Sequence, residues 1–299
     1  MLPIHNNPCR AKVLRVLLGL CIAFYAACPI LAQEVISLYD GPAPGSETWD
    51  WEEEEHFGLI TGVAHPTLTV YRPAEPNGVG MVVCPGGGFC FLAFANEGEG
   101  ISRVLNERGV TCFVLKYRLF HDPDIKRLAS YFGEGKMDSI SAGTIPLALD
   151  DAANAIRYVR SHAADYGIDP EKIGITGSSA GGCITMGTAM SATADDCRPN
   201  FAVACYPYLS PHILRQAPDK PLPLFIASCS DDSMVPVTHS LEFYKIWLEK
   251  GQKAEMHIYQ KGEHGFVCIP QSLEVDTWTD SLFRWFEDVF PENFKPIAR

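Results

Sequence analysis

A mostly parallel, doubly wound α/β sheet with helices on both faces is the fold this sequence predicts, and three observations predict it. Strand-like and helix-like stretches alternate along the chain, short Gly/Pro-bearing connections join them, and several strands are continuous apolar runs such as Phe225-Ile226-Ala227. Runs of that kind suit a parallel sheet covered on both sides.

The strands are read at 68–71, 81–84, 112–116, 173–176, 202–206, 224–228 and 255–259, and helical patterns fall at 100–107, 147–166, 180–192, 238–250 and 278–289. In the helix at 147–166, Ala148, Ala152, Ala155, Ile156 and Val159 share one stripe, and Asp151, Asn154 and Arg157 lie off it. The segment 120–145, rich in Gly, Ser and charge, reads as a long loop, either an insertion over a site or plain surface. The acidic run 52–55 reads as a solvated surface. Residues 33–60 form an N-terminal segment, with a Pro/Gly/Glu-rich stretch at 40–56, and 61–299 are read as one domain.

Ahead of these, Arg10, Lys12 and Arg15 precede an uncharged apolar run at 16–27 that ends in Ile30-Leu31-Ala32, a small-residue cleavage signal. Residues 1–32 are therefore expected to be a signal peptide, with Gln33 the mature start and a periplasmic or extracellular destination. A retained membrane anchor is the alternative, against which stands an uncharged stretch shorter than about 20 residues. A lipoprotein site at Cys28 is another, against which stand Tyr25 and Pro29. After cleavage no membrane association is expected.

The leader holds three basic and no acidic residues, so its removal moves the formal charge from −12 to −15. A chain this acidic, without a basic tract, is a poor polyanion binder, which excludes nucleic acid as a partner class. Cys9, Cys21 and Cys28 belong to the leader; the other eight of the eleven cysteines show neither a CxxC pair nor zinc-type spacing, so no metal is expected. Cys112, Cys205 and Cys229 fall in apolar strands and read as small buried hydrophobes. Export permits disulfides, and the short Cys84–Cys90 spacing is noted, although pairing is not legible in a sequence.

The chemistry is carried by four segments. Gly177-Ser178-Ser179-Ala180-Gly181 matches G-x-S-x-G and lies between a strand and a helix, where a sharp turn needs small flanking residues and pushes the central hydroxyl out at the carboxyl edge of the sheet. Ser179 is thus the candidate nucleophile and Ser178 a small residue tolerated by the turn. The helix N-terminus behind Ser179 adds partial positive charge where an oxyanion would form. Pro85-Gly86-Gly87-Gly88-Phe89 follows the strand 81–84, and its glycines can bring bare N–H groups to a substrate oxygen. No Gly-Lys-Ser/Thr follows, so it is not a phosphate loop.

A serine nucleophile needs a base and a carboxylate that orients the base. Gly262-Glu263-His264-Gly265-Phe266 follows the last strand and offers His264; His239 and His257, inside a helix pattern and a strand, read as packed or solvated. Ser230-Asp231-Asp232-Ser233-Met234-Val235-Pro236 follows the strand 224–228 and offers the carboxylate. The chain order Ser, Asp, His is the one expected of a nucleophile on this kind of strand–turn–helix.

From about residue 69 to 286 the chain resembles the α/β-hydrolase esterases of the bacterial acetyl xylan esterase and feruloyl-esterase-like branch, with a prolyl-oligopeptidase-like core. The resemblance rests on Pro85-Gly86-Gly87-Gly88-Phe89, Lys116-Tyr117-Arg118-Leu119, Gly177-Ser178-Ser179-Ala180-Gly181-Gly182, Asp232-Ser233-Met234-Val235-Pro236 and Gly262-Glu263-His264-Gly265-Phe266. It implies an α/β-hydrolase fold, a triad of Ser179, Asp232 and His264, and oxyanion amides from Gly87, Gly88 and Ala180; the D-x-x-V-P match selects Asp232 over Asp231. Members of that branch often carry an aromatic where this chain has Ser178 and a histidine where it has Cys183, differences that bear on substrate fit. Dienelactone hydrolases share the outline but use cysteine where this chain has Ser179.

The resulting expectation is an exported serine ester hydrolase without metal or organic cofactor, acting on a small ester or an acylated oligosaccharide such as acetylated xylan. A peptidase of prolyl-oligopeptidase type and a catalytically silent binding module are the rival readings. Oligomeric state is not legible.

Overall fold

The computed structural model describes residues 34–296 except 123–126, 128–129 and 132–135. The leader and its cleavage site lie outside the described residues.

A short strand β1 (Val35–Ser37) is followed by a hairpin, β2 (Glu54–His56) and β3 (Leu59–Thr61), and then by β4 (Thr67–Tyr71) and β5 (Gly80–Cys84). After β6 (Phe91–Leu92) comes a π-helical stretch, Phe94–Gly100, continuous with helix α1 (Ile101–Asn106), and β7 (Thr111–Lys116). Helices α2 (Met137–Ser141) and α3 (Thr144–Ser161) lead to β8 (Ile173–Ser178), α4 (Ala180–Ser191) and β9 (Phe201–Cys205). The chain ends with β10 (Leu224–Cys229), α5 (Thr238–Glu249), β11 (Ala254–Tyr259) and α6 (Trp278–Val289).

The main sheet has eight strands in the order β1-β4-β7-β5-β8-β9-β10-β11. The six from β7 to β11 run parallel, whereas β4 is antiparallel to both of its neighbours. This is the expected doubly wound sheet, and each predicted strand appears within about two residues of its expected bounds. The apolar runs are continuous because consecutive residues feed opposite faces. Val82 and Cys84 join one core with α3, α4 and α5, and Met81 and Val83 join the other with α1 and α6.

Three features depart from expectation. The acidic segment is part of a small second sheet, β2-β3-β6, exposed as expected except that Glu53 reaches Lys116 at 2.6 Å. Within 120–145 the chain is not wholly loop: it carries α2, and α3 begins at Thr144, with Pro146 in the first turn, where a missing N–H costs no helical bond. Asp151, read as lying on the polar side of its helix, is fully buried. Its carboxylate accepts from the backbone N–H, Nε and Nη2 of Arg118, also fully buried, at 2.8–3.1 Å. Tyr39 donates to the same carboxylate at 2.9 Å, and the Arg118 guanidinium donates onward to the Pro44 carbonyl at 2.6 Å and Ser46 Oγ at 3.2 Å. The N-terminal segment, already paired with the sheet through β1, is thus also tied to it by a fully buried ion pair.

Cys84 and Cys90 are not bonded to each other, and all eight cysteines among the described residues are free thiols, seven of them buried. Among the described residues no helix is long and apolar enough to cross a membrane.

The order of the strands places the site. From β5 the chain crosses first to β7 on one side and later to β8 on the other, so the strand order reverses at β5, and sites in open α/β sheets lie at the carboxyl ends beside such a reversal. Cys84 is level with Gly177, and Ser178 with Cys205, so the loops after β5, β8 and β9 emerge side by side.

Candidate active site

Ser179 occupies the turn between β8 and α4 with φ 55° and ψ −117°, a conformation that L-residues avoid. The turn is locked on both sides: Ser179 N–H donates to the Cys205 carbonyl at 3.1 Å, and Tyr208 N–H donates to the Ser179 carbonyl at 3.0 Å. It also needs its glycine. A Cβ on Gly181 would lie 1.9 Å from the Cys84 carbonyl oxygen, so only a bare backbone lets α4 start this close to β5.

His264 follows β11, and its Nε2 accepts from Ser179 Oγ at 2.9 Å. On the other side of the ring, Nδ1–H donates to Asp232 Oδ2 at 2.8 Å. Asp232 is itself held by backbone amides, with Oδ1 accepting from Met234 N–H at 2.9 Å and Val235 N–H at 2.8 Å. The three side chains expected to act together are therefore joined in one hydrogen-bonded row. Asp231 takes a different place: it accepts from Glu263 N–H at 2.9 Å and Gly262 N–H at 3.3 Å and so braces the loop that carries His264. The rival histidines are elsewhere engaged, His239 Nδ1 with Leu209 N–H at 3.1 Å and His257 with Glu255 at 2.7 Å.

The glycine loop after β5 lies against Ser179, since a Cβ on Gly86 would sit 3.1 Å from that of Ser179. Gly87 has φ +138°, and a Cβ there would stand 1.9 Å from the Phe91 carbonyl oxygen, so no other residue fits this turn. The loop is pinned by Ala93 N–H to the Gly86 carbonyl at 2.8 Å and by the Tyr117 phenol to the Pro85 carbonyl at 2.6 Å. The N–H groups of Gly87, Gly88 and Ala180 find no acceptor among the described residues. Amides left free beside a serine hydroxyl can donate to an added oxygen, the arrangement an oxyanion on a Ser179 adduct would need.

One participant was not expected. Glu97, in the π-helical stretch and only 8% exposed, places its carboxylate between these loops. Its Oε2 accepts from Gly86 N–H at 2.7 Å and from Ser178 Oγ at 2.5 Å, and its Oε1 accepts from the Tyr206 phenol at 3.1 Å. Ser178 is therefore more than a residue the turn tolerates. Tyr206 in turn lays its ring 4.6 Å from that of His264. Glu97 sits in a stretch without amphipathic periodicity, Phe-Ala-Asn-Glu-Gly-Glu-Gly, where a carboxylate gives no sign of being buried.

A family model described as alpha/beta hydrolase fold matches residues 142–259. A solved acetyl ester-xyloside bifunctional hydrolase from Caldicellulosiruptor lactoaceticus superposes with a TM-score of 0.61 at 26% identity, over 86% of this chain and 96% of that one. The chain has the α/β-hydrolase fold. Among curated proteins, this chain is similar to an acetylxylan esterase of Xylanibacter ruminicola, 28% identical over 74% of the chain and 48% of the relative. It is also similar to an endo-1,4-beta-xylanase B of Butyrivibrio fibrisolvens, 26% identical over 80% of the chain and 41% of the relative. The chain spans less than half the length of these curated relatives.

Proposed function

We propose that the protein is an exported serine carboxylic-ester hydrolase that deacetylates plant polysaccharide such as xylan. The observation that carries the reading is the row Ser179–His264–Asp232 beside unengaged amides. In this reading Ser179 Oγ attacks the ester carbonyl while His264 Nε2 takes its proton, giving a tetrahedral adduct. The adduct's oxyanion would sit on the Gly87, Gly88 and Ala180 amides, each worth roughly 3 to 4 kcal/mol of barrier. His264 then returns the proton to the departing alcohol, and water, deprotonated by the same ring, releases the acid and restores Ser179. Asp232 keeps Nδ1 protonated and stabilises the imidazolium without itself taking the proton.

The polysaccharide part rests on what the Xylanibacter and Caldicellulosiruptor proteins are named for. A polar flank beside the nucleophile also supports it: the Tyr208 phenol pairs with Asp138 of α2, whose carbonyl meets His212 Nε2 at 3.0 Å. Such a flank suits an alcohol rich in hydroxyls. Acetate release from acetylated xylo-oligosaccharides by the chain from Gln33, with Ser179→Ala as blank, tests the reading. Release by the wild type alone is expected; failure on these and on p-nitrophenyl acetate would overturn the esterase assignment, and failure on the oligosaccharides alone would overturn the polysaccharide part.

The two neighbouring aspartates should separate in the same assay. Asp232→Asn leaves the ring in the wrong tautomer and is expected to lower kcat on the order of 10⁴-fold. Asp231→Asn only loosens the loop under His264, and a loss of about tenfold is expected. A larger loss from Asp231→Asn than from Asp232→Asn would reverse the assignment.

A further inference from the structure

Glu97 is a buried carboxylate whose partners among the described residues are neutral: one amide and two hydroxyls. Taking a carboxylate out of water is costly unless its lone pairs are met, and such a group persists where the surrounding donors are fixed. Here the three donors come from three different strand ends. Gly86 begins the glycine loop after β5, Ser178 ends β8 one residue before the nucleophile, and Tyr206 follows β9 with φ 35°. Burial, reinforced by Glu97, pushes the Tyr206 phenol well above its ordinary value, so Tyr206 remains a proton donor.

We propose that Glu97 is a positioning residue for acyl transfer, fixing the spacing between the glycine loop, the nucleophile turn and the aromatic wall that seats His264. The proposal rests on the ester-hydrolase reading above. Glu97 touches none of the reacting atoms: its hydroxyl contact is Ser178, not Ser179. What it sets is the separation between Ser179 Oγ and the Gly87 and Gly88 amides, because Gly86 and Ser178 each immediately precede one side of that gap and share the single oxygen Oε2. The π-helical turn explains how the carboxylate gets there, since an extra residue in the turn redirects side chains and such turns recur at functional sites.

An oxyanion hole acts only if its donors are in place for the tetrahedral state. Loss of Glu97 should therefore lower kcat and leave ground-state binding nearly unchanged. With p-nitrophenyl acetate, and rates expressed per site labelled exhaustively by a fluorophosphonate, Glu97→Ala is expected to lower kcat about 10²-fold, the effect of a lost oxyanion donor. KM should stay within about threefold. Affinity for a trifluoromethyl ketone, which forms the tetrahedral adduct on Ser179, should fall in parallel. Glu97→Gln keeps one acceptor for Gly86 and Ser178 and can face the phenol of Tyr206 with its amide, so it should recover at least tenfold of the loss.

Ser178→Ala removes one of the three contacts with little change of volume; by itself it should lower kcat per labelled site about tenfold with KM nearly unchanged, and if the Glu97 variants do not fold, an unchanged kcat in Ser178→Ala would overturn the proposal. The same change should cost less in the Glu97→Ala background than alone, since neighbours acting through one group are not additive. A Glu97→Ala protein with lowered Tm but unchanged kcat per labelled site and unchanged ketone affinity would overturn the proposal, as would full additivity with Ser178→Ala. A wild-type protein that neither turns over the ester nor takes the label would overturn the esterase reading itself, a result distinct from either.

Discussion

Ser179→Ala is expected to lower hydrolysis of p-nitrophenyl acetate by 10⁴-fold or more, on the scale known for loss of a triad serine. The change removes one hydroxyl from a turn already held at φ 55° by its neighbours' hydrogen bonds, and alanine meets the same backbone strain as serine, so the fold should be unaffected. Thermal unfolding of the variant should match that of the wild type within about 2 °C, which separates loss of the nucleophile from loss of structure. Retention of more than about a tenth of wild-type activity, with the protein shown free of contaminating esterase, would remove Ser179 from the mechanism. Ser179→Gly adds a further reading: it should be as inactive but more stable, because glycine relieves a conformation that costs other residues of order 1–3 kcal/mol.

The largest effect on stability should come from the Arg118–Asp151 pair. Both side chains are entirely buried, and the arginine spends its donors on Asp151, Pro44, Ser46 and Leu147. Removing one partner leaves the other charge in the interior without its counterpart, at a cost of about 3–5 kcal/mol. Asp151→Ala should therefore lower the urea midpoint markedly, with the slope of the transition unchanged if the N-terminal segment stays docked. A loss under about 1 kcal/mol would mean that the pair is not the anchor described. Replacing both, as Arg118→Met with Asp151→Leu, should restore much of the loss, because well-packed apolar groups often match a buried ion pair in stability.

These two sites also mark where sequence reasoning works and where it stops. Ser179, His264 and Asp232 were legible because each lies in a short motif at the end of a strand, and strand ends are given by apolar runs that need no knowledge of the partner strand. Asp151 was misread because it lies off the small-residue stripe of its helix, and helical periodicity reports only that helix's own apolar face. Its burial depends on Arg118, 33 positions earlier and just past β7, and on Tyr39 further still. Glu97 escaped for the same reason, compounded by a π-helical turn that breaks the 3.6-residue period. The small β2-β3-β6 sheet escaped because strands of two or three residues have too few positions to show alternation. Local pattern thus recovered the scaffold and the three side chains that the fold joins in one hydrogen-bonded row, whereas the polar contacts that hold them depend on long-range pairing.

The buried thiols give the molecule an internal clock. Burial pushes every one of the eight upward, Cys90, Cys183, Cys229 and Cys268 to about 12, so almost none of the reactive thiolate exists at neutral pH while the chain is closed. Oxidants and alkylating agents then act mainly on molecules that have opened, and the rate of their uptake measures how often the sheet comes apart. In an oxidising compartment each opening carries a chance of capture by the wrong disulfide. In such a compartment the working lifetime of the protein is set by the frequency of its rarest fluctuation, and not only by the depth of its free-energy minimum.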